Sequence, residues 1–298
     1  MATLNAKIQR LFEEASDLKV TFWGTRGSIP SPGQETIRYG GNTTCLEVEL
    51  NDGTLIIIDA GTGIKKLGQH IVSNSRVGKI NIFFTHSHWD HIQGFPLFAP
   101  AYLEEYDIEI FGCEPVFHNV QEILTNQMDA RYFPVRFSNL KAKINFHEIR
   151  QEKLVLGDAV IDCIKNNHPG GANGFKITEN GKTLVFITDN ELHAPENSGS
   201  SWQEFVDFCR GADMLIHDSH YRADELENVT GWGHSSFEQA FELAIAARAK
   251  ELLFFHHDPD RTDDEIDEIV KGFRKTIKKM GLDMKLDAAI EGTKYRIG

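Results

Sequence analysis

The sequence predicts an α/β protein with sheets inside and helices outside, and three observations carry that expectation. Apolar, strand-like runs alternate with helix-like segments along 298 residues, with no repeat, low-complexity stretch or long linker. A hydrophobic share of 41% in a chain of this length is enough to bury a substantial core. Several strand-like runs end at a His or Asp, where open α/β sheets place their chemistry.

In chain order, residues 1–17 come first. Leu4, Ile8, Leu11 and Phe12 fall at helical spacing among Lys7, Arg10, Glu13 and Glu14, which predicts an amphipathic helix rather than a signal peptide. Residues 18–298 read as a single domain. Strands are expected at Leu18–Trp23, Thr44–Leu50, Leu55–Asp59, Lys79–Thr85, Ile108–Phe111, Ala159–Lys165, Gly174–Ile177, Thr183–Thr188, Met214–His217 and Leu252–His256. Helices are expected at Trp89–Ala99, Glu114–Asp129, Ser201–Cys209, Ser235–Ala247 and Thr262–Met280. The last opens with Asp263, Asp264 and Glu265, closes with Lys278 and Lys279, and stops at Gly281, a charge order that complements the helix dipole.

Composition narrows the class. The net charge of −13, from 44 acids against 31 bases, repels phosphate backbones at long range, so no long nucleic acid is expected as a partner. No apolar run approaches the roughly 20 residues that span a bilayer, so no membrane partner is expected either. Cys45, Cys113, Cys163 and Cys209 form no Cys-x-x-Cys pair, which suits free thiols in a reducing cytoplasm.

The chemistry announces itself at Thr85-His86-Ser87-His88-Trp89-Asp90-His91, directly after Ile80-Asn81-Ile82-Phe83-Phe84. Imidazoles and a carboxylate so closely spaced offer N and O ligands suited to zinc, manganese or iron, and a turn after a strand can fan them outward. His86 and His88 can serve one ion, Asp90 and His91 a second. Other strand-like runs deliver donors in the same way: His168 after Ile161–Lys165, Asp189 after Leu184–Ile187, and His256 after Leu252–Phe255. A lone carboxylate at a strand end can present its two oxygens to two ions about 3.5–4 Å apart.

On these residues the chain resembles the metallo-β-lactamase superfamily, whose fold is an αββα sandwich of two mixed sheets flanked by helices. The resemblance implies that His86, His88 and His168 hold one metal, that Asp90, His91 and His256 hold the other, and that Asp189 bridges them. Asp59, in Ile57-Ile58-Asp59-Ala60-Gly61-Thr62-Gly63, matches a strand-end Asp that anchors the His-rich loop, although an Asx turn would explain it as well. Within the superfamily the chain is most similar to the branch holding RNase Z and the class II cyclic-nucleotide phosphodiesterase-like proteins. The segments behind this are Gly24-Thr25-Arg26-Gly27-Ser28-Ile29-Pro30 with Gly40-Gly41-Asn42-Thr43-Thr44, then Ile216-His217-Asp218-Ser219-His220-Tyr221, Gly233-His234-Ser235-Ser236 and Phe255-His256-His257-Asp258-Pro259.

That branch implies a dinuclear metal-dependent hydrolase, with zinc the expected ion and manganese or iron as alternatives. Asp90 would orient the nucleophilic water. His234 would act as general acid or phosphate-stabilising group, with Asp218 fixing its tautomer and charge; the competing reading of His234 is an N-cap beside Ser235. His217, His220 and His257 are expected to support or pack. Arg26, Arg131 and Arg136 are candidate phosphate contacts, and Tyr132 and Phe133 either stack on a base or fill the core. The long Gly- and Lys-rich arm of RNase Z is not evident. The expected substrate is therefore a small phosphodiester such as a cyclic nucleotide. An ester, lactone or thioester hydrolase and a non-catalytic metal-binding sensor stay open, and residues 3–17 leave room for a homodimer.

Overall fold

Two seven-stranded sheets face each other across an apolar layer. The structure is a computed structural model and describes residues 18–75, 78–114, 117–149, 153–194 and 199–297, so the helix expected over residues 1–17 lies outside the described residues. The first sheet, in spatial order, is β14 (Lys294–Ile297), β1 (Leu18–Gly24), β2 (Cys45–Glu49), β3 (Leu55–Ile58), β4 (Gly78–Phe84), β5 (Tyr106–Cys113) and β6 (Lys143–Ile149). The second is β13 (Lys285–Ala288), β12 (Glu251–Phe255), β11 (Met214–Asp218), β10 (Lys182–Ile187), β9 (Ala172–Glu179), β8 (Ala159–Asn166) and β7 (Leu154–Leu156).

Both sheets are mixed. β3 through β6 run parallel, as do β10 through β13, while the remaining neighbours are antiparallel. Parallel runs point their carboxyl ends to one edge, and the loops leaving β3, β4, β10 and β12 therefore open toward the same region. Phe22, Val48, Ile58 and Phe83 from one sheet meet Phe175, Phe186, Ile216 and Phe255 from the other. Fully burying each such side chain is worth about 1.5–3 kcal/mol.

Helices cover the outer faces. α1 (Ile64–Ser73) and α3 (Phe117–Gln127) lie with the apolar cluster behind the first sheet, while α4 (Trp202–Cys209), α5 (Phe237–Ala247) and α6 (Asp263–Met280) lie with the cluster behind the second. The layers are thus αββα. Three of these helices begin with reciprocal capping boxes, Ser201/Glu204, Ser236/Gln239 and Thr262/Glu265.

Some elements differ from expectation for visible reasons. The helix expected over Trp89–Ala99 stops at Ile92 as the short α2 (Trp89–Ile92); Gly94, Pro96 and Pro100 break the segment beyond it into 3₁₀ turns. α1 is not among the expected helices, although Ile64, Leu67 and Ile71 are buried at helical spacing. The strands β6, β7, β13 and β14 are likewise outside the expected set: β7, β13 and β14 are short edge strands, and β6 is an edge strand that is only partly buried.

Candidate metal centre

Strand ends build the site, and they do so in an uncommon backbone conformation. Asp59 follows β3 at φ 63°, Asp189 follows β10 at φ 52° and His256 follows β12 at φ 61°. Non-glycine residues seldom occupy positive φ, and where they do the surrounding structure must hold them. Each turn swings a side chain off the sheet edge toward the loop after β4.

Asp59 organises that loop. Its Oδ1 accepts the backbone N–H of Thr85 at 2.8 Å, and its Oδ2 accepts the Thr85 hydroxyl and the Nδ1–H of His91, both at 2.7 Å. With Nδ1 committed, His91 presents Nε2 to the centre. Asp90 Oδ2 accepts the backbone N–H of Ser28 at 2.8 Å and lies 3.1 Å from His91 Nε2 and 3.2 Å from His256 Nε2.

Asp189 faces both sides. Its Oδ1 is 3.6 Å from His86 Nε2 and 3.7 Å from His168 Nε2, whereas its Oδ2 is 3.2 Å from His91 Nε2 and 3.3 Å from His256 Nε2. Two groups of ligand atoms result, His86, His88, His168 and Asp189, and Asp90, His91, Asp189 and His256; within each, the atoms lie within 4.8 Å of one another. Buried His86 Nε2 and His91 Nε2 have no hydrogen-bond partner. Asp59, Asp90, Asp189 and Asp218 are all buried here. Unpartnered ring nitrogens beside closely spaced carboxylates are what divalent cations require, so the residues fit a pair of such ions. Burial opposes charge on His91, yet Asp90, Asp189 and Asp59 outweigh it and hold that imidazole well above its usual pKa, a further sign that the pocket attracts positive charge.

Beside the second group stands His234. Its Nδ1–H donates to Asp218 Oδ2 at 2.8 Å, and its ring stacks near His256 and His220 with centroids 5.1 and 4.6 Å away. Burial works against a charged ring, but the Asp218 carboxylate prevails and pushes His234 up to about 9. Asp218 also accepts the N–H groups of Asp189, Ser235 and His220. The cap of α5 is Ser236, so His234 is left outside the capping box. His217, His220 and His257 each engage a backbone carbonyl, those of Asp218, His256 and Ala289.

Arg26 is not a phosphate contact. Its guanidinium is fully buried, donating to the carbonyls of Gly40, Asp258 and Arg261, so it ties the first loop to the loop after β12. Gly27 lies in that tie, where a Cβ would sit 2.6 Å from the His256 ring. Arg131 is exposed and bound to Asp129, Tyr132 is exposed under the Arg131 guanidinium, and Phe133 packs on the core behind the first sheet. Arg136 is exposed.

Sequence reasoning missed three supports. The Ser28 amide holds Asp90; the Asn167 side chain braces the loop of His168 by donating to the carbonyls of Glu191 and Ser200; and the buried Glu191 carboxylate accepts the N–H groups of Gly231 and Gly233. The Gly231-Trp232-Gly233 triplet was the available signal, since such spacing marks a tight turn.

An αββα sandwich with two His/Asp groups at one edge defines a metal-dependent hydrolase. A family model described as "Beta-lactamase superfamily domain" matches residues 54–257, and the chain belongs to that superfamily. It is 26% identical to ribonuclease Z of Thermoplasma acidophilum over 90% of this chain and 96% of the relative. Ribonuclease BN of Cronobacter sakazakii is also 26% identical, over 80% of this chain and 88% of the relative. The solved metallo-beta-lactamase fold protein YhfI from Bacillus subtilis superposes with a TM-score of 0.69 at 21% identity, covering 94% of this chain and 99% of that one. The two sequence relatives correct the expectation that no long nucleic acid is a partner, because both are named ribonucleases and align along 90% and 80% of this chain. Net charge was a poor guide: repulsion from remote acids is screened beyond about 8–10 Å, while divalent ions reverse the potential where the substrate would bind. No described helix is long and apolar enough to cross a membrane.

Proposed function

We propose that this hydrolase is a dinuclear phosphodiesterase and that RNA is among its substrates. The observation that carries the reading is the His234–Asp218 pair, standing beside two ligand groups that share Asp189. We assign His86, His88 and His168 to one ion, Asp90, His91 and His256 to the other, and Asp189 to both, with zinc as the ion in use. When bound, the ions would activate water and neutralise charge on the phosphate.

The protein's own groups supply the rest. Asp90, held by the Ser28 amide, accepts a hydrogen bond from the attacking water and orients it. His234 gives its Nδ1–H to Asp218, which leaves the Nε2–H free to protonate the departing alkoxide. An alkoxide is a poor leaving group, so a proton donor held charged near neutral pH suits a diester or an alkyl ester better than a thioester, whose thiolate departs without one. The ribonuclease names borne by relatives along most of the chain support the same chemistry.

A small diester such as a cyclic nucleotide is the second reading. It is favoured by the commitment of the buried Arg26 to backbone carbonyls, which removes a cation from a long phosphate track. Hydrolysis of bis(p-nitrophenyl) phosphate by protein loaded with zinc or manganese, against a chelated control, tests the class. An RNA oligonucleotide and a cyclic-nucleotide panel then separate the substrates. No diester turnover with two metal equivalents bound would overturn the phosphodiesterase reading in favour of an ester, lactone or thioester hydrolase.

A further inference from the structure

Two of the four tryptophans stand in solvent, and both adjoin the candidate metal centre. Trp23 packs with the cluster behind the first sheet and donates to Glu47, and Trp202 stacks on His193. Trp89 is 81% exposed and Trp232 62% exposed. Leaving an indole in water forgoes one of the largest apolar burials a side chain can offer, so its position asks for a reason.

Their placement follows from His168. Nε2 of His168 lies 3.0 Å from Nδ1 of His88, the residue before Trp89, and its Nδ1–H donates at 3.0 Å to the carbonyl of Gly233, the residue after Trp232. The two indoles are therefore carried by segments that meet at one candidate ligand. A third exposed apolar residue, Ile29 at 59%, follows Ser28, whose amide holds Asp90 in the other ligand group.

Both indole-bearing segments are fixed. Trp89 opens α2, and its carbonyl accepts the N–H of Gln93 at 2.8 Å. Trp232 sits in a turn pinned by Glu191, which accepts Gly231 N–H at 2.9 Å and Gly233 N–H at 3.1 Å. At Gly233, φ is +86° and a Cβ would sit 2.2 Å from His168 Nδ1, so a side chain there would displace the turn. A flat ring held exposed on a rigid backbone is a stacking platform with little ordering cost on binding.

We infer that Trp89 and Trp232 form an aromatic clamp that stacks the bases flanking the phosphate to be cleaved, with Ile29 as an apolar contact on the Asp90 side. The clamp rests on the phosphodiesterase reading and narrows it to diesters that carry bases: a dinucleotide or an RNA strand binds through both phosphate and base, and an abasic diester through phosphate alone. Stacking tolerates any base, so the clamp confers affinity without sequence preference.

The test is equilibrium dialysis of the metal-loaded full chain against uridylyl-uridine phosphorothioate, which resists cleavage, and against its abasic counterpart. Trp89→Ala and Trp232→Ala together should weaken dinucleotide binding by roughly ten- to a hundredfold, the loss expected for one or two stacked bases, and leave abasic binding unchanged. Trp89→Phe with Trp232→Phe should restore most of the affinity. Equal dinucleotide affinity in wild type and the double alanine variant would overturn the clamp, as would a wild type that binds dinucleotide no better than the abasic diester. A dimer that dissociates in the alanine variant while dinucleotide binding stays unchanged would overturn it too, making the patch a protein interface. The reading beneath is judged separately, by bis(p-nitrophenyl) phosphate turnover of the wild type.

Discussion

His234 donates its Nδ1–H to Asp218 Oδ2 at 2.8 Å, and that same oxygen accepts the backbone N–H of Asp189 at 3.0 Å. One buried carboxylate thus couples the proposed proton donor to the proposed bridging residue. His234→Ala leaves the seven assigned ligands in place. Bound metal should stay at two equivalents while turnover of an RNA oligonucleotide, whose leaving group is an alkoxide, falls by roughly 10²–10⁴-fold. Metal analysis beside steady-state kinetics checks this, and wild-type turnover would remove His234 from the chemistry.

Asp189→Ala removes oxygens that face His86 and His168 on one side and His91 and His256 on the other. The variant should lose at least one metal equivalent per chain. Retention of two after dialysis would show that Asp189 bridges nothing.

Asp59→Asn keeps shape but replaces an acceptor with a donor. Thr85 N–H, the Thr85 hydroxyl and His91 Nδ1–H all seek acceptors at that carboxylate, so an amide must turn its NH₂ toward one of them. The His91 tautomer is then no longer fixed, and metal affinity should fall about 10–100-fold. A competitive chelator titration reads the change; unaltered affinity would reduce Asp59 to a turn-former.

Arg26→Met tests structure rather than catalysis. It leaves the Gly40, Asp258 and Arg261 carbonyls without their buried donor, at a cost of about 3 kcal/mol. The melting temperature should drop by roughly 6–12 °C, taking about 2–4 °C per kcal/mol for a chain approaching this size. If instead stability holds and phosphate affinity collapses, the arginine does contact substrate.

Much of the fold was legible because its central strands are continuous apolar runs; Leu55–Ile58 and Leu252–Phe255 could hardly be anything but buried. β7 and β14 were not, because short edge strands bury little and show weak alternation. The site divides the same way. His86, His88, Asp90 and His91 stand together in sequence, and the chemistry of their side chains is visible there. Ser28 acts through its backbone N–H, and the Glu191 carboxylate acts on those of Gly231 and Gly233; no residue type records where an amide will point. Arg26 was misread for a related reason: a cation beside glycines suggests phosphate, and carbonyls from loops more than 200 positions away are invisible until the chain is folded.

The site draws on both halves of the sandwich. His86, His88, Asp90 and His91 leave the first sheet, while His168, Asp189 and His256 leave the second. The two sheets meet through an apolar layer in which sliding is opposed by side-chain packing alone, with ring contacts such as Phe83–Phe175 and Phe22–Phe255. Cations gripped from both sides would act as rivets against that sliding. Amide exchange near Val48 and Ile161, core residues away from the assigned ligands, should therefore quicken after chelation, which makes metal supply a control on the breathing of the scaffold as well as on its chemistry.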